Sequence, residues 1–353
     1  MRRLFFPGMK TDLAIIGQGA VTPAGIGITA LLRGHPTETM IPMVSRPHRH
    51  WPVYRVNLSD PAFERWQREA RLRRASPISY YLVEAAGQAL MGLDASERAQ
   101  TGLVIAFSAG CLAYSRRFFE GILAQGQKSA SPALFPETVF NSPVSHVAAT
   151  LHLEGSAYTL AGDETAWIAA LKTAWLWLDQ ERVKQVLVLG AEEFDSVSLD
   201  AYQSAGWLRR QRAKPGFIPS EGAAGVLVRR AKPSDAKIIS QMEDGFIHRS
   251  RTEAMAAGQR CLQHFDSDLP CYWSAQHHWL GKIERKLTHP PYPCPPDSKP
   301  PYLGEAATAS AAWNTLRALA SMDPQHPRLL VPVWGGTHQI GALELECHSP
   351  SGD

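Results

Sequence analysis

The sequence lacks a cysteine framework, a long apolar run and a strong charge of either sign. Its five cysteines are scattered along 353 residues and odd in number, which predicts reduced thiols in a cytoplasmic protein. No apolar run approaches the roughly 20 residues that span a bilayer, so no membrane insertion is expected. The N-terminus, MRRLFFPGMK, has no small-residue cleavage site and is not a convincing signal peptide. A formal charge of +3 is too small to indicate nucleic acid as a partner.

Patterns for a cofactor or a metal are also missing. Residues 17–25 (GQGAVTPAG) follow an apolar run, but Thr22 stands where a dinucleotide-binding motif has its third glycine. The adjacent His277 and His278, with the cysteines around them, match no zinc spacing. We therefore expect neither a cofactor nor a metal site.

What the sequence does contain is an alternation of two kinds of segment. Apolar runs of strand length alternate with stretches of helical periodicity, which predicts an α/β protein with well-covered sheets. The polar residues 229–237 (RRAKPSDAK) predict an internal boundary, and residues 35–56 are expected to be irregular. Seven prolines predict an extended loop over residues 289–301. The clearest strand predictions are residues 12–17, 101–107, 183–192 and 237–247, and the clearest helices are 76–91, 142–151, 251–262 and 304–319.

Residues 155–178 (GSAYTLAGDETAWIAALKTAWLWL) stand out among these segments. They predict a strand at Ala157–Ala161, a tight turn through Gly162 and a long apolar helix. Many folds place a nucleophile at such a turn. Here the turn reads Asp163-Glu164-Thr165 and offers neither cysteine nor serine.

Three segments match motifs that occur together in one enzyme family. Residues 13–25 (LAIIGQGAVTPAG) are similar to VVVTGLGAVTPLG, residues 155–171 to GPSYTVDTACSSSLVAL, and residues 334–343 (WGGTHQIGAL) to GFGGTNASLVL. The chain thus resembles the β-ketoacyl synthases of the thiolase-like superfamily over nearly its whole length. The resemblance implies a five-layer αβαβα fold with two pseudo-duplicated halves. These halves are expected at residues 1–230 and at a shortened 231–353, together as one compact unit.

The resemblance also implies a catalytic cysteine and two histidines, and each is replaced here. Counting from Gly155 without gaps places Glu164 at the cysteine position. A carboxylate cannot carry an acyl chain as a usable thioester. Gln276 takes the position of the first histidine, although a one-residue shift would place His277 there instead. Glu305 takes the position of the second histidine.

Two more positions are assigned to the pocket. Trp334 falls near the gating phenylalanine of the family's closing motif and is expected to plug the pocket. The family has a lysine before its second histidine. Lys299 aligns with that lysine only if one residue is inserted.

A chain that keeps the family's motifs but replaces all three catalytic residues resembles a chain length factor. This is the non-catalytic partner subunit of type II polyketide or fatty-acid systems. Such a subunit pairs with an active ketosynthase and helps shape the tunnel for the chain that grows on acyl carrier protein. Known relatives most often have glutamine at the cysteine position, and Glu164 departs from that. The shortened second half suggests the divergent branch found in aryl-polyene pigment clusters.

Two other functions remain open from the sequence. Glu164 and Glu305 would share a small space in this fold, and such a carboxylate pair suits general acid–base chemistry. Alternatively, the chain binds acyl chains or acyl carrier protein without a ketosynthase partner. Glu164 can also be a simple helix-capping carboxylate, which the helix dipole favours.

In the family that the chain resembles, two subunits pair through the strand before the nucleophile, antiparallel across a two-fold axis. The resemblance places this interface at Ala157, Tyr158, Thr159, Leu160 and Ala161.

Overall fold

Eleven strands and eleven helices form the part of the chain that the structure, a computed structural model, describes: residues 10–208, 216–275, 278–288 and 302–348. The strands are β1 (Lys10–Thr22), β2 (Gly25–Ile26), β3 (Glu38–Pro42), β4 (His50–Tyr54), β5 (Thr101–Phe107), β6 (Ala157–Ala161), β7 (Gln185–Glu192), β8 (Gly222–Arg230), β9 (Lys237–Ile247), β10 (Arg328–Trp334) and β11 (Gln339–Cys347). The helices are α1 (Ile28–Arg33), α2 (Glu64–Gln67), α3 (Pro77–Ala89), α4 (Ala95–Ala99), α5 (Leu112–Gln125), α6 (Ser142–Leu151), α7 (Ala166–Asp179), α8 (Ser196–Ser204), α9 (Arg251–Leu262), α10 (His278–Leu287) and α11 (Thr308–Ser321).

One large mixed sheet organises the fold. Its strands follow the order β10-β11-β9-β1-β8-β7-β5-β6, with β2 attached to β1, while β3 and β4 form a separate hairpin. Strand β5 runs parallel to β6 and β7, and the other pairs are antiparallel. Strand β1 is central to the sheet, because β8 pairs with one of its sides and β9 with the other.

Helices cover both faces of this sheet in five layers. Helices α3 and α6 pack on the outer face of β1, β5, β7 and β8, and α9 packs on the outer face of β9 and β11. Between the two ends of the sheet lie α7 and α11, which contact strands of both ends. The α/β class and the five-layer αβαβα architecture are confirmed.

The sequence of β5 shows why these layers form. Leu103 and Ile105 pack into the cluster with α3 and α6, whereas Val104 and Ala106 pack into the cluster with α7 and α11. A strand covered on both faces is apolar throughout rather than alternating. The two central helices are buried in the same way, and α11 is buried along nearly its whole length.

Three local predictions are wrong, and the structure explains two of them. Residues 35–56, expected to be irregular, contain the hairpin β3–β4, which buries Trp51 and Val53 against Phe194 and Phe217. The helix expected from residue 304 begins only at Thr308, because the backbone before it takes positive φ angles at positions 304 and 307. Residues 269–275, expected as a strand, make only an isolated bridge. The loop predicted at 289–301 lies outside the described residues.

The two edges of the sheet differ. At β10, Leu330 donates its N–H to the carbonyl of Pro270 (3.0 Å), and Tyr272 donates its N–H to the carbonyl of Leu330 (2.8 Å), so this edge is covered at Leu330. At the other edge, β6 pairs with β5 alone among the described strands. Tyr158 of β6 is 52% exposed. No helix in the described part of the chain has the length and apolar character needed to cross a membrane.

Candidate functional site

The turn after β6 carries the first carboxylates of the site. Gly162 donates its N–H to the carbonyl of Phe107 (3.1 Å), which ends the pairing with β5. Asp163 then accepts hydrogen bonds from the N–H and the hydroxyl of Thr165 (3.0 and 2.6 Å), and this Asx turn leads into α7. Glu164 is 8% exposed and lies at the N-terminus of α7, where the helix dipole favours a negative charge.

Glu305 reaches the same place from the segment before α11. Its N–H donates to the carbonyl of Ile218, and its carbonyl accepts from the N–H of Ser220, each at 2.8 Å. Gly304 permits this pairing with a φ of +83°, since a Cβ there would lie 2.6 Å from the Ile218 carbonyl oxygen. The backbone of Glu305 is therefore fixed, and its side chain is 8% exposed.

Glu164 and Glu305 line one small cavity at the end of β10. Its volume is about 20 Å³. A single water needs about 10–15 Å³ by the same measure, so the cavity has room for one water. Glu164 and Glu305, which the resemblance assigns to two of the three catalytic positions, thus come together around a space too small for an acyl thioester. The other lining residues are Ser274, Ala275, Ser310, Ala311, Asn314, Val333 and Trp334.

Burial governs the charge of these carboxyl groups. Desolvation, and next the neighbouring Glu164 carboxylate, raise the pKa of Glu305 well above its ordinary value. The same two causes raise the pKa of Asp163, against the hydrogen bonds that it accepts from Thr165 and Thr337. Burial therefore favours the protonated form of Glu305 and of Asp163.

The turn between β10 and β11 closes over this cluster. Gly336 donates its N–H to Oε2 of Glu164 (2.8 Å), and the hydroxyl of Thr337 donates to Oδ2 of Asp163 (3.0 Å). Gly335 lies so close to the Asp163 carboxyl that a Cβ at this position would overlap it. The family's closing glycine motif thus rests directly on the two carboxylates that follow β6.

Sequence reasoning misses a further buried carboxylate, Glu284 of α10. It accepts hydrogen bonds from the N–H groups of Ser274 and Ala275 (2.9 and 3.1 Å) and from Nε1 of Trp334 (3.0 Å). Burial raises the pKa of Glu284 to about 7 against these hydrogen bonds. The sequence does contain a signal for its burial. Glu284 follows Leu280 by four residues and precedes Leu287 by three, which places it on the apolar face of the helix.

The remaining predicted residues stand as follows. Trp334 is buried and lines the cavity, while its gating role stays a prediction. Gln276, His277 and Lys299 lie outside the described residues, so their assignments also stay predictions. Within the described ranges, no group of three His, Cys, Asp or Glu side chains is arranged to hold a metal ion.

The buried cysteines do not supply an activated thiol. Burial raises the pKa of Cys111, at the start of α5, to about 12, and it raises the pKa of Cys261 and of Cys271 well above the ordinary value. The thiolate is the nucleophilic form, so these side chains are unreactive near neutral pH.

Comparison with known proteins decides the family. The pattern of the family described as "Beta-ketoacyl synthase, N-terminal domain" matches residues 10–234, more than half of the chain. The chain belongs to the β-ketoacyl synthase family. No curated protein sequence matches it significantly.

Solved structures show that this member keeps the synthase fold at low sequence identity. "The ishigamide ketosynthase/chain length factor" superimposes with a TM-score of 0.78 at 20% identity, covering 96% of this chain and all of that one. A β-ketoacyl synthase from Burkholderia phymatum STM815 gives 0.75 at 15% identity, covering 97% of this chain and 100% of that one. A type II polyketide ketosynthase in complex with its acyl-carrier protein, AntDE:AntF, gives 0.74 at 13% identity, with 96% and 100% coverage.

Proposed function

We propose that this chain is a non-catalytic ketosynthase-like subunit, a chain length factor. It would pair with an active β-ketoacyl synthase and shape the tunnel in which a polyketide or fatty-acyl chain grows on acyl carrier protein. The observation that carries the proposal is the cavity between Glu164 and Glu305. Glu164 and Glu305, which the motif resemblance assigns to the positions of the thiol and of one histidine, line a space with room for one water. Neither acyl loading nor decarboxylation of a bound extender unit fits there.

Strand β6 supports the pairing of two chains. Its outer backbone edge makes no hydrogen bond within the described chain, and an exposed edge recruits another strand. Tyr158 projects from this edge with half of its surface exposed. Antiparallel pairing of β6 with the corresponding strand of a partner would satisfy both edges at once.

Exposed apolar side chains lie on β6, on α5 and in residues 135–140, and we call this set the β6–α5 surface. Helix α5 buries none of its residues, and Leu123 is 85% exposed. Phe118 of this helix packs on Phe135 with ring centroids 5.7 Å apart, and Phe107 of β5 packs on Phe140 at 5.5 Å. Exposed apolar side chains clustered in this way are typical of a protein interface. The exposed members are Phe119, Leu123, Phe135, Val139, Phe140 and Tyr158.

A basic groove beside α5 supports acyl carrier protein as a second partner. Arg73, Arg74 and Arg117 line it together with Tyr114 and Phe118, and its volume is about 400 Å³. In the described ranges none of the three arginines forms an ion pair with the chain itself. Their charge is available to an anionic group, such as the phosphate on the prosthetic arm of a carrier protein.

Co-expression with a candidate ketosynthase tests the proposal. We expect size-exclusion chromatography to show a 1:1 complex, and intact-mass analysis to find acyl adducts on the ketosynthase alone. Glu164→Ala should leave both results unchanged, because Glu164 carries no acyl group. An acyl adduct on this chain, or the absence of any complex with the ketosynthases tried, would overturn the proposal.

The raised pKa of Glu305 beside Glu164 favours one alternative, an enzyme that uses this pair for acid–base chemistry. It predicts turnover by the isolated chain and its loss in Glu164→Gln. A stand-alone acyl-binding or carrier-binding module would instead form a homodimer that binds carrier protein without a ketosynthase. The unpaired cysteines that the structure describes suit the cytoplasmic location that we propose. Membership of an aryl-polyene pathway is a narrower form of the same proposal.

A further inference from the structure

Helix α5 and the residues that follow it lie on the molecule without being buried in it. We call residues 112–140 the α5 arm and the rest of the described chain the body. None of the residues of α5 is buried, and the helix packs mainly against other parts of the arm, at Gln127–Ser129 and Phe135–Thr138. In proteins, most of the stability of a helix of this length comes from packing on the rest of the fold. The α5 arm has little of that packing.

Helix α3 shows the difference, because it has almost the same length, 13 residues against 14. Nine residues of α3 are buried, and Tyr81 and Leu82 among them are fully enclosed. Unfolding α3 would expose part of the core, whereas moving α5 away from the body exposes little apolar surface. A segment with few buried apolar contacts opens at a lower free energy than the core.

Two polar contacts fasten the α5 arm to the body. Nε of Arg116 donates to both carboxylate oxygens of Asp195 (2.9 and 3.0 Å), and we call this contact the Asp195 anchor. Nε2 of His146 donates to the carboxyl group of Glu137, with distances of 2.9 and 3.1 Å to its two oxygens, and we call this contact the Glu137 anchor. Asp195 and His146 belong to the body, since one caps α8 and the other is buried in α6.

Contacts inside the arm tie its two parts together. The hydroxyl of Ser115 in α5 donates to the carbonyl of Thr138 (3.3 Å). Phe118 of α5 packs on Phe135 with ring centroids 5.7 Å apart. Helix α5 and the residues after it are therefore expected to move together.

The backbone on either side of the arm is fixed. Before it, the carboxyl group of Glu192 accepts the N–H groups of Ser108 and Ala109 (2.8 and 3.0 Å). After it, α6 begins with the buried Pro143. Gly110 lies between the fixed backbone and α5 with a φ of +60°, a conformation that glycine adopts readily. A movement of the arm can thus pivot at its ends and leave the body unchanged.

We propose that the α5 arm opens and closes as one unit on a body that stays folded, and that the Asp195 anchor and the Glu137 anchor set how often it opens. Opening breaks hydrogen bonds and ion pairs and no covalent bond. The outer side of the arm carries the exposed side chains of Phe119, Leu123 and Phe135. A ketosynthase that covers this side holds the arm closed, a step that rests on the function proposed above.

Amide hydrogen exchange of the isolated full-length chain, followed by mass spectrometry, measures the opening. After correction for intrinsic rates, we expect peptides from α5 to exchange about a hundredfold or more faster than peptides from α3. Equal protection of the two helices would overturn the proposal.

Asp195→Asn and Glu137→Gln test the anchors. Asparagine can still accept the N–H of Val197 and cap α8, but it loses the charge that faces Arg116. Each variant should quicken exchange about tenfold over the whole of residues 112–140 and leave α3 unchanged, because a charge-assisted hydrogen bond is lost. No change in either variant, or a change confined to the residues beside the substitution, would contradict the proposal.

Asp235→Asn is the matched control. Asp235 pairs with Arg229 (2.6 Å) on the turn after β8, and this pair contacts no part of the arm. The variant should leave exchange in residues 112–140 unchanged. An effect as large as that of Asp195→Asn would show that the anchors have no special role.

Exchange in the presence of a ketosynthase separates this proposal from the proposed function. In a complex, protection of residues 112–140 should rise. A complex that forms and leaves their exchange unchanged would overturn closure by the partner. If no ketosynthase binds, the proposed function fails, while the exchange of the isolated chain still decides whether the arm opens.

Discussion

Asp163 leaves room only for glycine at position 335. A Cβ at this position would overlap the carboxyl group, which is itself held by Thr165 and Thr337 and cannot move aside. Forcing an extra methyl group into a packed site costs about 1–3 kcal/mol. We therefore expect Gly335→Ala to lower the free energy of unfolding by about that amount in urea denaturation.

Gly121→Ala is the matched control for this substitution. Gly121 lies within α5, and a Cβ built on it meets no atom within 4 Å. Alanine is favoured over glycine in a helix by about 0.5–1 kcal/mol, so this variant should be neutral or slightly stabilised. Equal destabilisation of both variants would show that the contact with Asp163 does not restrict position 335.

Single residues of the site differ in how far the sequence could reveal them. Glu164 and Glu305 could be predicted from the sequence, because each lies at a fixed distance from glycines of a motif. Glu284 and the constraint on Gly335 were not, since each depends on a segment far away in the chain: Glu284 meets Ser274 and Trp334, and Gly335 meets Asp163. Hydrogen-bond partners of buried groups are fixed by packing, which a single sequence does not show.

At the scale of elements, the direction of the backbone groups in β6 gives a sharp test of the interface. Leu103 donates its N–H to the carbonyl of Ser156, and Gly162 donates to Phe107. In a parallel pair the bonds of one strand come from alternate residues, so Thr159 directs its N–H away from β5. Thr159→Pro should remove an intermolecular donor and spare the pairing within the chain. We expect binding of the ketosynthase to weaken by about tenfold or more, as loss of one hydrogen bond and a steric clash imply.

Thr159→Ala serves as the control, because it keeps the backbone donor and removes only the side chain. Its complex should persist in size-exclusion chromatography, and both variants should unfold at similar temperatures as isolated chains. A fully retained complex with Thr159→Pro would show that β6 is not the pairing strand.

Elements with their own periodicity were predicted well. The observed bounds of β5, α6 and β9 coincide with the predicted ranges. Buried strands and a helix that begins with proline can be predicted from the local residue pattern alone. The hairpin β3–β4 was not predictable in this way. Its apolar residues are few, and they are buried by contacts with Phe194, Leu199 and Phe217 from distant segments.

At the scale of the whole molecule, buried carboxyl groups set the response to pH. Burial raises the pKa of Glu192 and of Glu193 to about 8, and that of Glu284 to about 7. The folded state therefore binds more protons than the unfolded state above about pH 4.5, the ordinary range of a glutamate. We expect the apparent Tm to fall as the pH rises from about 5 to 8.

Circular dichroism during thermal unfolding, at several pH values and constant ionic strength, measures this fall. Glu193→Gln should show a shallower fall, because one of the titrating groups is gone. A Tm that is constant or rises over the same interval would contradict the prediction. The family resemblance predicted the layered fold, but the protonation of its interior follows from side-chain burial and needed the three-dimensional structure.

The contrast between the two edges of the large sheet limits how many chains can join. Pro270 and Tyr272 hydrogen-bond to Leu330 of β10, whereas β6 pairs with no described strand on its outer side. If two subunits pair through β6 as proposed, each sheet would contribute its β6 edge to the pair and leave outside the β10 edge, which is covered at Leu330. Such pairing would be self-terminating, because it uses the same edge of both chains and gives a finite pair rather than a filament.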